Sequence, residues 1–579
     1  MLLPDVRAAL GAVTTDHAWS LIERFSSLKR EHPRDVETAA GEIVGRLEKL
    51  GVPVTVHRPE LFLSLPGAAR VECGTRSFRA KPMAMSLATT GRTAPLLYIP
   101  NQQDPSLEEF FQRPPQSSLD PMARGRIVVT EGFGMPGKVA HYEALGAVGI
   151  IAVNPGKNPH WGICTTVWGT PDLYDLPRKP SIPVVAVSNA DGQEIIKAAG
   201  RQEVGTIVAD LEEGWYVSPI PVVKIQGTDE AEPFVLLHGH YDSWDVGVGD
   251  NAVGDGTMLE IARVLWHQRA ALKRSVWIAW WPGHSTGRYA GSTWFADHYA
   301  QELYRSCIAQ VNCDSPGCRW ATEYYDISWM SETEDFCKDV IRDIAGKEAR
   351  GERPFTAGDY SFNNIGISSY FMLLSTMSAE DRARKGYYAV GGCGANIAWH
   401  TEDDTMEIAD RGILETDIKI YLAAVMEAAN RTVAPFDFAR TLGEFRGTLD
   451  RYQQAAGAKF SFDPARAAVA ALDQAVARLN ARAAGLASAP AGDPAVRRLN
   501  AAIRRLARYL VPVNFTTRPA FFHDHAETVL PLPDLAPALE LPEATPSRAG
   551  FIRTHLMRGQ NRFVAARGDA GAAVESALA

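Results

Sequence analysis

Cysteine is scarce and unpaired in this chain: seven residues, an odd number, stand among 579 with no C-x-x-C spacing. That excludes a disulfide framework and suits a reducing compartment. Basic charge is short as well. Lys+Arg total 59 against 68 Asp+Glu, a net charge of −9, so the positive footprint that a nucleic-acid partner needs is missing. No stretch reaches the ~18 consecutive apolar residues of a membrane span. The opening segment, Met1 to Trp19, has no basic stretch leading into an apolar core of the kind that marks a signal peptide. These absences predict a cytosolic protein with neither a membrane nor a nucleic-acid partner. With 46% hydrophobic residues the chain is also too apolar for a disordered one, and its length allows about three domains.

What is present changes texture along the chain. Trp19, Leu21, Ile22 and Phe25, then Ile43, Val44, Leu47 and Leu50, recur at helical spacing, and the second series stops at Gly51. From about residue 60 to 215, short apolar runs such as Arg126–Thr130, Val148–Val153 and Ile182–Val187 alternate with Pro and Gly, which predicts a β-rich module with an irregular loop over Asn154–Lys179. Beyond Pro221, strands at Phe234–His238 and Val276–Trp281 alternate with helices over about Gly256–Leu272 and through Phe295 and Tyr299. That is the pattern of an open α/β sheet covered on both faces. After about residue 440 the chain reads as Ala- and Arg-rich amphipathic helices, with Ala483–Asp493 linking two of them.

The chemistry-bearing residues stand where the strands end. His240-Tyr-Asp242 follows an apolar strand at the carboxyl edge, where open α/β sheets place their ligands. An imidazole and a carboxylate two residues apart can supply a metal ligand and the group that orients it. Asp250, in Gly249-Asp-Asn-Ala-Val-Gly254, can give one oxygen to each of two cations. Asp314 ends another strand, and His400 lies far along the chain in Trp399-His-Thr-Glu-Asp-Asp-Thr405. Three other patterns carry less. Cys313 and Cys318 lack the second pair that a structural zinc site needs. Gly132-Phe-Gly-Met-Pro-Gly137 has no acidic ribose partner. Ser285 sits in no nucleophile elbow.

Taken together, His-x-Asp, Asp-Asn, Asp and His-Thr-x-x-Asp-Thr resemble the M28 family of zinc aminopeptidases and carboxypeptidases. Within it, His240-Tyr-Asp-Ser-Trp244 is similar to the branch of glutamate carboxypeptidase II and the transferrin receptor. The resemblance implies three domains. An open mixed-sheet α/β zinc-peptidase (phosphorylase/hydrolase-like) domain takes residues 1–60 and 216–440, an inserted protease-associated (PA) module takes 61–215, and a helical dimerisation domain takes 441–579 and makes a homodimer. It further implies one or two divalent cations per chain: zinc first, with a mononuclear iron or zinc site also open. His240, Asp250 and Asp314 would hold the first, Asp250 would bridge to a second at His400, and Asp242 would act in catalysis by orienting His240. Trp399, Asp359 and Ser285 are placed at the substrate, a peptide, an N-acyl amino acid or a small-molecule non-peptide amide.

One departure bears on the reaction. Working members follow the strand equivalent to Val276–Trp281 with two glutamates, a general base and a ligand of the second metal. Here the letters are Pro282-Gly-His-Ser-Thr-Gly287, and no acid stands between Ser275 and Asp297. His284 can then be a metal ligand or the general base in the glutamate's place. The expected activity is amide hydrolysis by a metal-activated water. The alternative is a non-catalytic scaffold of the transferrin-receptor kind with a degenerate metal site.

Overall fold

A strand covered on both faces needs a continuous apolar run rather than alternation, and Pro233–His240 supplies one: every residue of it is buried. In the computed structural model, which describes residues 2–101 and 113–579, this run lies in the Glu230–His240 strand, at the centre of a six-stranded mixed sheet. Arg274–Trp281 and Cys307–Asn312 flank it in parallel, and Ser368–Tyr370 continues the parallel side. Ile220–Ile225 and then Thr55–His57 close the other side antiparallel. In this register His240 lies opposite Trp281, and His238 opposite Asn312. The three parallel strands therefore stop together, and the segments that follow them, beginning at Tyr241, Pro282 and Cys313, leave from one edge.

Both faces of the sheet are covered by helices. Val235, Leu237, Val276 and Ile278 join the large core beneath Asp16–Phe25, Pro33–Lys49, Val253–His267 and Arg411–Asn430. Phe234, Leu236 and Trp281 pack on the opposite face with Phe295 and Leu303, from the helices Ala290–His298 and Ala300–Ser306. The helix expected from Gly256 begins at Val253 and ends at His267, followed by a separate short turn at Arg269–Ala271.

The β-rich segment closes on itself as a seven-stranded barrel running from Glu60 to Val217. Its first and last strands pair Glu60 with Val217, directly beside the His57–Ile220 pair of the central sheet. The barrel is thus inserted between two adjacent sheet strands, entering and leaving at one point. Its irregular stretch after Val153 lies against the central domain, where the Trp161 N–H donates to the His400 carbonyl at 2.9 Å.

At the C-terminal end, Phe438–Ala456, Asp463–Leu486, Pro494–Phe515 and Pro546–Leu578 form four long helices. Alanines at 483 and 484 carry the second helix to Leu486, into the expected linker. Arg508 fastens this layer to the sheet domain. Its buried guanidinium donates to the carbonyls of Leu303, Tyr304, Cys307 and Gly366, and burial brings its pKa down to about 10. No helix among the described residues is long and apolar enough to cross a membrane. Arg508→Ala leaves four carbonyls unsatisfied and is expected to cost about 3 kcal/mol or more of stability, read as a lower urea midpoint in equilibrium unfolding.

Candidate active site

At the shared strand edge His240 is fully buried, and its Nδ1 lies 2.9 Å from the backbone carbonyl of Asp242. His400 is fixed the same way, Nδ1 to the Trp161 carbonyl at 3.0 Å. A carbonyl only accepts, so in both rings Nδ1 carries a proton and Nε2 is the nitrogen left for a cation to take. What each Nε2 faces is also an acceptor. Asp250 Oδ1 lies 3.0 Å from His240 and Asp250 Oδ2 3.1 Å from His400, while Asp314 Oδ2 is 3.6 Å from His240. His240 Nε2 makes no hydrogen bond.

Only a positive charge on or between these atoms satisfies such an arrangement. Donors sharing one zinc ion at about 2.0–2.1 Å stand roughly 3.3 Å apart, and the separations around His240 Nε2, 3.0 and 3.6 Å, bracket that value. His240, Asp250 and Asp314 therefore fit a divalent cation, with His400 on the other oxygen of Asp250. The electrostatics of the site run the same way. Burial would lower the pKa of His240, yet Asp250 and Asp314 outweigh it and hold it well above the usual histidine value. Asp250, against the same opposing effect of burial, is held well below the usual carboxylate range by His240 and His400.

The turn carrying Asp250 is held from three directions. Asp404 accepts the backbone N–H groups of Gly249 and Asp250, at 2.6 and 3.0 Å, and burial raises its own pKa to about 7. Asn251 donates to the carbonyls of His240 and Cys313 and accepts from the Ser315 N–H, so it ties the ends of two neighbouring strands together. Arg30, buried, donates to the carbonyls of Tyr241, Val246 and Gly247. Gly247 has no alternative here: its φ is +46°, and a Cβ would meet the Asp250 carbonyl oxygen at 2.3 Å.

Two expected roles are corrected. Asp242 touches His240 through its backbone carbonyl, while its carboxylate stands 3.9 Å from Nδ1. That carboxylate instead accepts the N–H groups of His284 and Ser285, at 3.1 and 2.8 Å, because the turn after Trp281 presents two unpaired donors to it. Asp359, expected at the substrate, is fully buried and does not line the cavity. It lies behind His284, its Oδ2 2.7 Å from Nδ1, and its Oδ1 accepts the Ser292 hydroxyl. Despite burial, His284 and His240 keep the Asp359 carboxyl below its usual range. An ionised carboxylate only accepts, so His284 Nδ1 donates and Nε2 is left with its lone pair.

His284 also stacks on His240, with ring centroids 3.7 Å apart and planes 15° from parallel. The donor atoms of His240, His284 and Asp314 lie within 4.8 Å of one another. Rings so nearly parallel send their in-plane lone pairs side by side rather than onto one point.

Ser285 and Trp399 line the cavity with His284, Asp250, Asp314 and His400, and Trp399 stacks on His400 at 3.6 Å. All seven cysteines are free and buried. Asp404 and Arg288, to which the sequence assigns no role, also belong to this neighbourhood. Asp404 is the acid of the His-Thr-x-x-Asp-Thr pattern, which marks its position but not its hold on the Asp250 turn. Arg288 gave no signal at all.

Residues 222–425 match the model of peptidase family M28. Aminopeptidase YwaD of Bacillus subtilis (strain 168) is 25% identical over 439 residues, covering 72% of this chain and 86% of its own length. Two solved structures share the fold. One is a zinc aminopeptidase from Bacillus subtilis, with a TM-score of 0.51 and 21% identity over 72% of this chain and 95% of that one. The other is a peptidase M28 precursor from Shewanella amazonensis SB2B, with a TM-score of 0.54 and 17% identity over 74% and 96%. Because Asp404 holds the turn that presents Asp250, Asp404→Ala is expected to weaken metal retention by about 10–100-fold, measured by competition against a chelator at fixed free metal.

Proposed function

We propose that this chain, a metal-dependent hydrolase whose residues 222–425 match peptidase family M28, works with one cation, with His284 moving the proton in place of the paired glutamates. His240, Asp250 and Asp314 would hold that cation, zinc first. His400 and Asp250 offer a second ion only two side chains, since Ser285 stands where a ligand carboxylate is expected and a neutral hydroxyl is a poor donor to a divalent ion. When bound, a divalent cation supplies a Lewis acid that polarises a carbonyl and lowers the pKa of water.

The observation that carries this reading is the 2.7 Å contact between His284 Nδ1 and the buried Asp359 carboxylate. It fixes the tautomer that a base requires. The His284 Nε2 lone pair takes a proton from water, Asp359 stabilises the imidazolium that forms, and Nε2 then returns the proton to the departing amide nitrogen. The stack on His240 supports a base rather than a shared ligand, because the two lone pairs do not converge. The Asp242 carboxylate holds the His284–Ser285 turn through its two N–H groups. Trp161, Trp244 and Trp399 wall the cavity with apolar rings.

The same reading takes the barrel as the protease-associated module and the C-terminal helices as the homodimer contact. Phe551 and Met557, 72% and 53% exposed on the last helix, are its apolar support. Light scattering is expected to report twice the 63.1 kDa chain mass, and a one-chain mass would remove that part alone.

Elemental analysis of the purified protein tests the centre. About one tightly held ion per chain is expected, lost in His240→Ala. His284→Ala is expected to keep the metal while amide turnover falls by about 10²–10⁴-fold. Loss of the metal in His284→Ala would make His284 a ligand and overturn its assignment as base.

A further inference from the structure

Arg288 lines the same cavity as His284 and Asp314, is 4% exposed, and has no role in holding the metal or moving the proton. Its Nε and Nη2 are buried without a hydrogen-bond partner, and it makes no ion pair among the described residues. The Tyr289 ring lies 5.1 Å from its guanidinium carbon. The backbone aims it there. Arg288 and Tyr289 both have positive φ, +48° and +70°, in the turn that leads into the Ala290–His298 helix. A buried guanidinium with empty N–H donors is a costly arrangement, and the group that answers its planar fork is a carboxylate.

We propose that Arg288 binds a carboxylate on the substrate, so that the enzyme acts on N-acyl amino acids or N-blocked peptides with a free carboxyl end. Two further observations set the class. Much of the remaining cavity wall is apolar, with Met83, Trp161, Ile163, Trp244, Phe355 and Met372, and it suits a bulky hydrophobic body. Among the described residues the only carboxylates lining it are Asp250 and Asp314, both at the cation site, so a free α-ammonium group would meet no carboxylate of its own there. A substrate entering by a free amino end, as for an aminopeptidase, is therefore disfavoured. The cleavage step rests on the hydrolase reading above, whereas the binding of a carboxylate does not.

Three probes separate these claims on the metal-loaded full-length protein: N-benzoyl-phenylalanine, its carboxamide, and phenylalanyl-phenylalaninamide, whose amino end is free and whose carboxyl end is blocked. Amide cleavage is followed by chromatography, and binding of N-benzoyl-phenylalanine by calorimetry. The expected result is a preference of about 10–100-fold in kcat/KM for the free acid over the carboxamide, carried mainly by KM. In Arg288→Gln that preference is expected to fall to within about 3-fold at unchanged metal content, with Arg288→Lys between the two. Parity between acid and carboxamide in the wild type, or faster cleavage of the free-amine probe, overturns the assignment of Arg288 and leaves the hydrolase standing. If no probe is cleaved, binding decides. A Kd for N-benzoyl-phenylalanine at least 10-fold weaker in Arg288→Gln supports the carboxylate site while the hydrolase reading fails, and an equal Kd, or no binding by the wild type, overturns it. Should Arg288→Gln not fold, the wild-type comparison of acid and carboxamide decides alone.

Discussion

A carboxylate taken out of water must be answered by positive charge or by several donors, and that requirement organises this molecule around Asp250. Its two oxygens face imidazoles 160 positions apart in the chain, His240 and His400, each turned by a backbone carbonyl so that Nε2 points back at it. The arrangement is held by side-chain hydrogen bonds to the main chain rather than by its own attraction. Asp404 receives the N–H groups of the turn, Asn251 joins two strand ends, and Arg30 gathers three carbonyls beneath. Preorganisation of this kind lets a cation bind without moving its ligands.

Beside that centre, the acids divide their labour by what surrounds each one. Asp242 and Asp359 are both buried and neither reaches the cavity. One holds the backbone of the His284 turn and the other its ring, so a single imidazole is fixed at two points. The chain then runs through two consecutive left-handed residues, Arg288 and Tyr289. Non-glycine residues in that region cost of order 1–3 kcal/mol each and persist where the surroundings overdetermine them. Here the Tyr289 hydroxyl accepts the Gly358 N–H and its ring packs on Trp168, which ties the strained turn to the segment carrying Asp359.

The inserted barrel reaches this centre as well. Its irregular stretch brings Trp161 against His400 and Trp244, and Lys81 on a barrel strand pairs with Glu402 two residues beyond His400. The cavity wall is thus shared between two units that the sheet alone does not relate. The Arg508 contacts similarly brace the short helices behind the far end of the sheet.

Much of this was legible in one dimension. Apolar runs ending in His240, Trp281 and Asn312 announce buried parallel strands, and parallel strands deliver whatever follows them to one edge, so His240, Asp250 and Asp314 were readable as neighbours from their places after strands. His400 was readable through its motif, and the exchange of two glutamates for His284 and Ser285 is a fact of sequence. What the letters could not carry was direction. Asp242 and Asp359 look like site acids, but hydrogen-bond donors contributed by other loops turn them inward to hold His284. Asp404 is marked by its motif, but its hold on the Asp250 turn exists only once the fold buries it. Arg288 is one cation of 59 until a left-handed turn points it into an apolar cavity with its donors empty. Periodicity records which residues must be buried, because burial acts residue by residue; partnership between distant side chains depends on the angles at which strands, turns and the inserted barrel meet, and those exist only once the chain has packed.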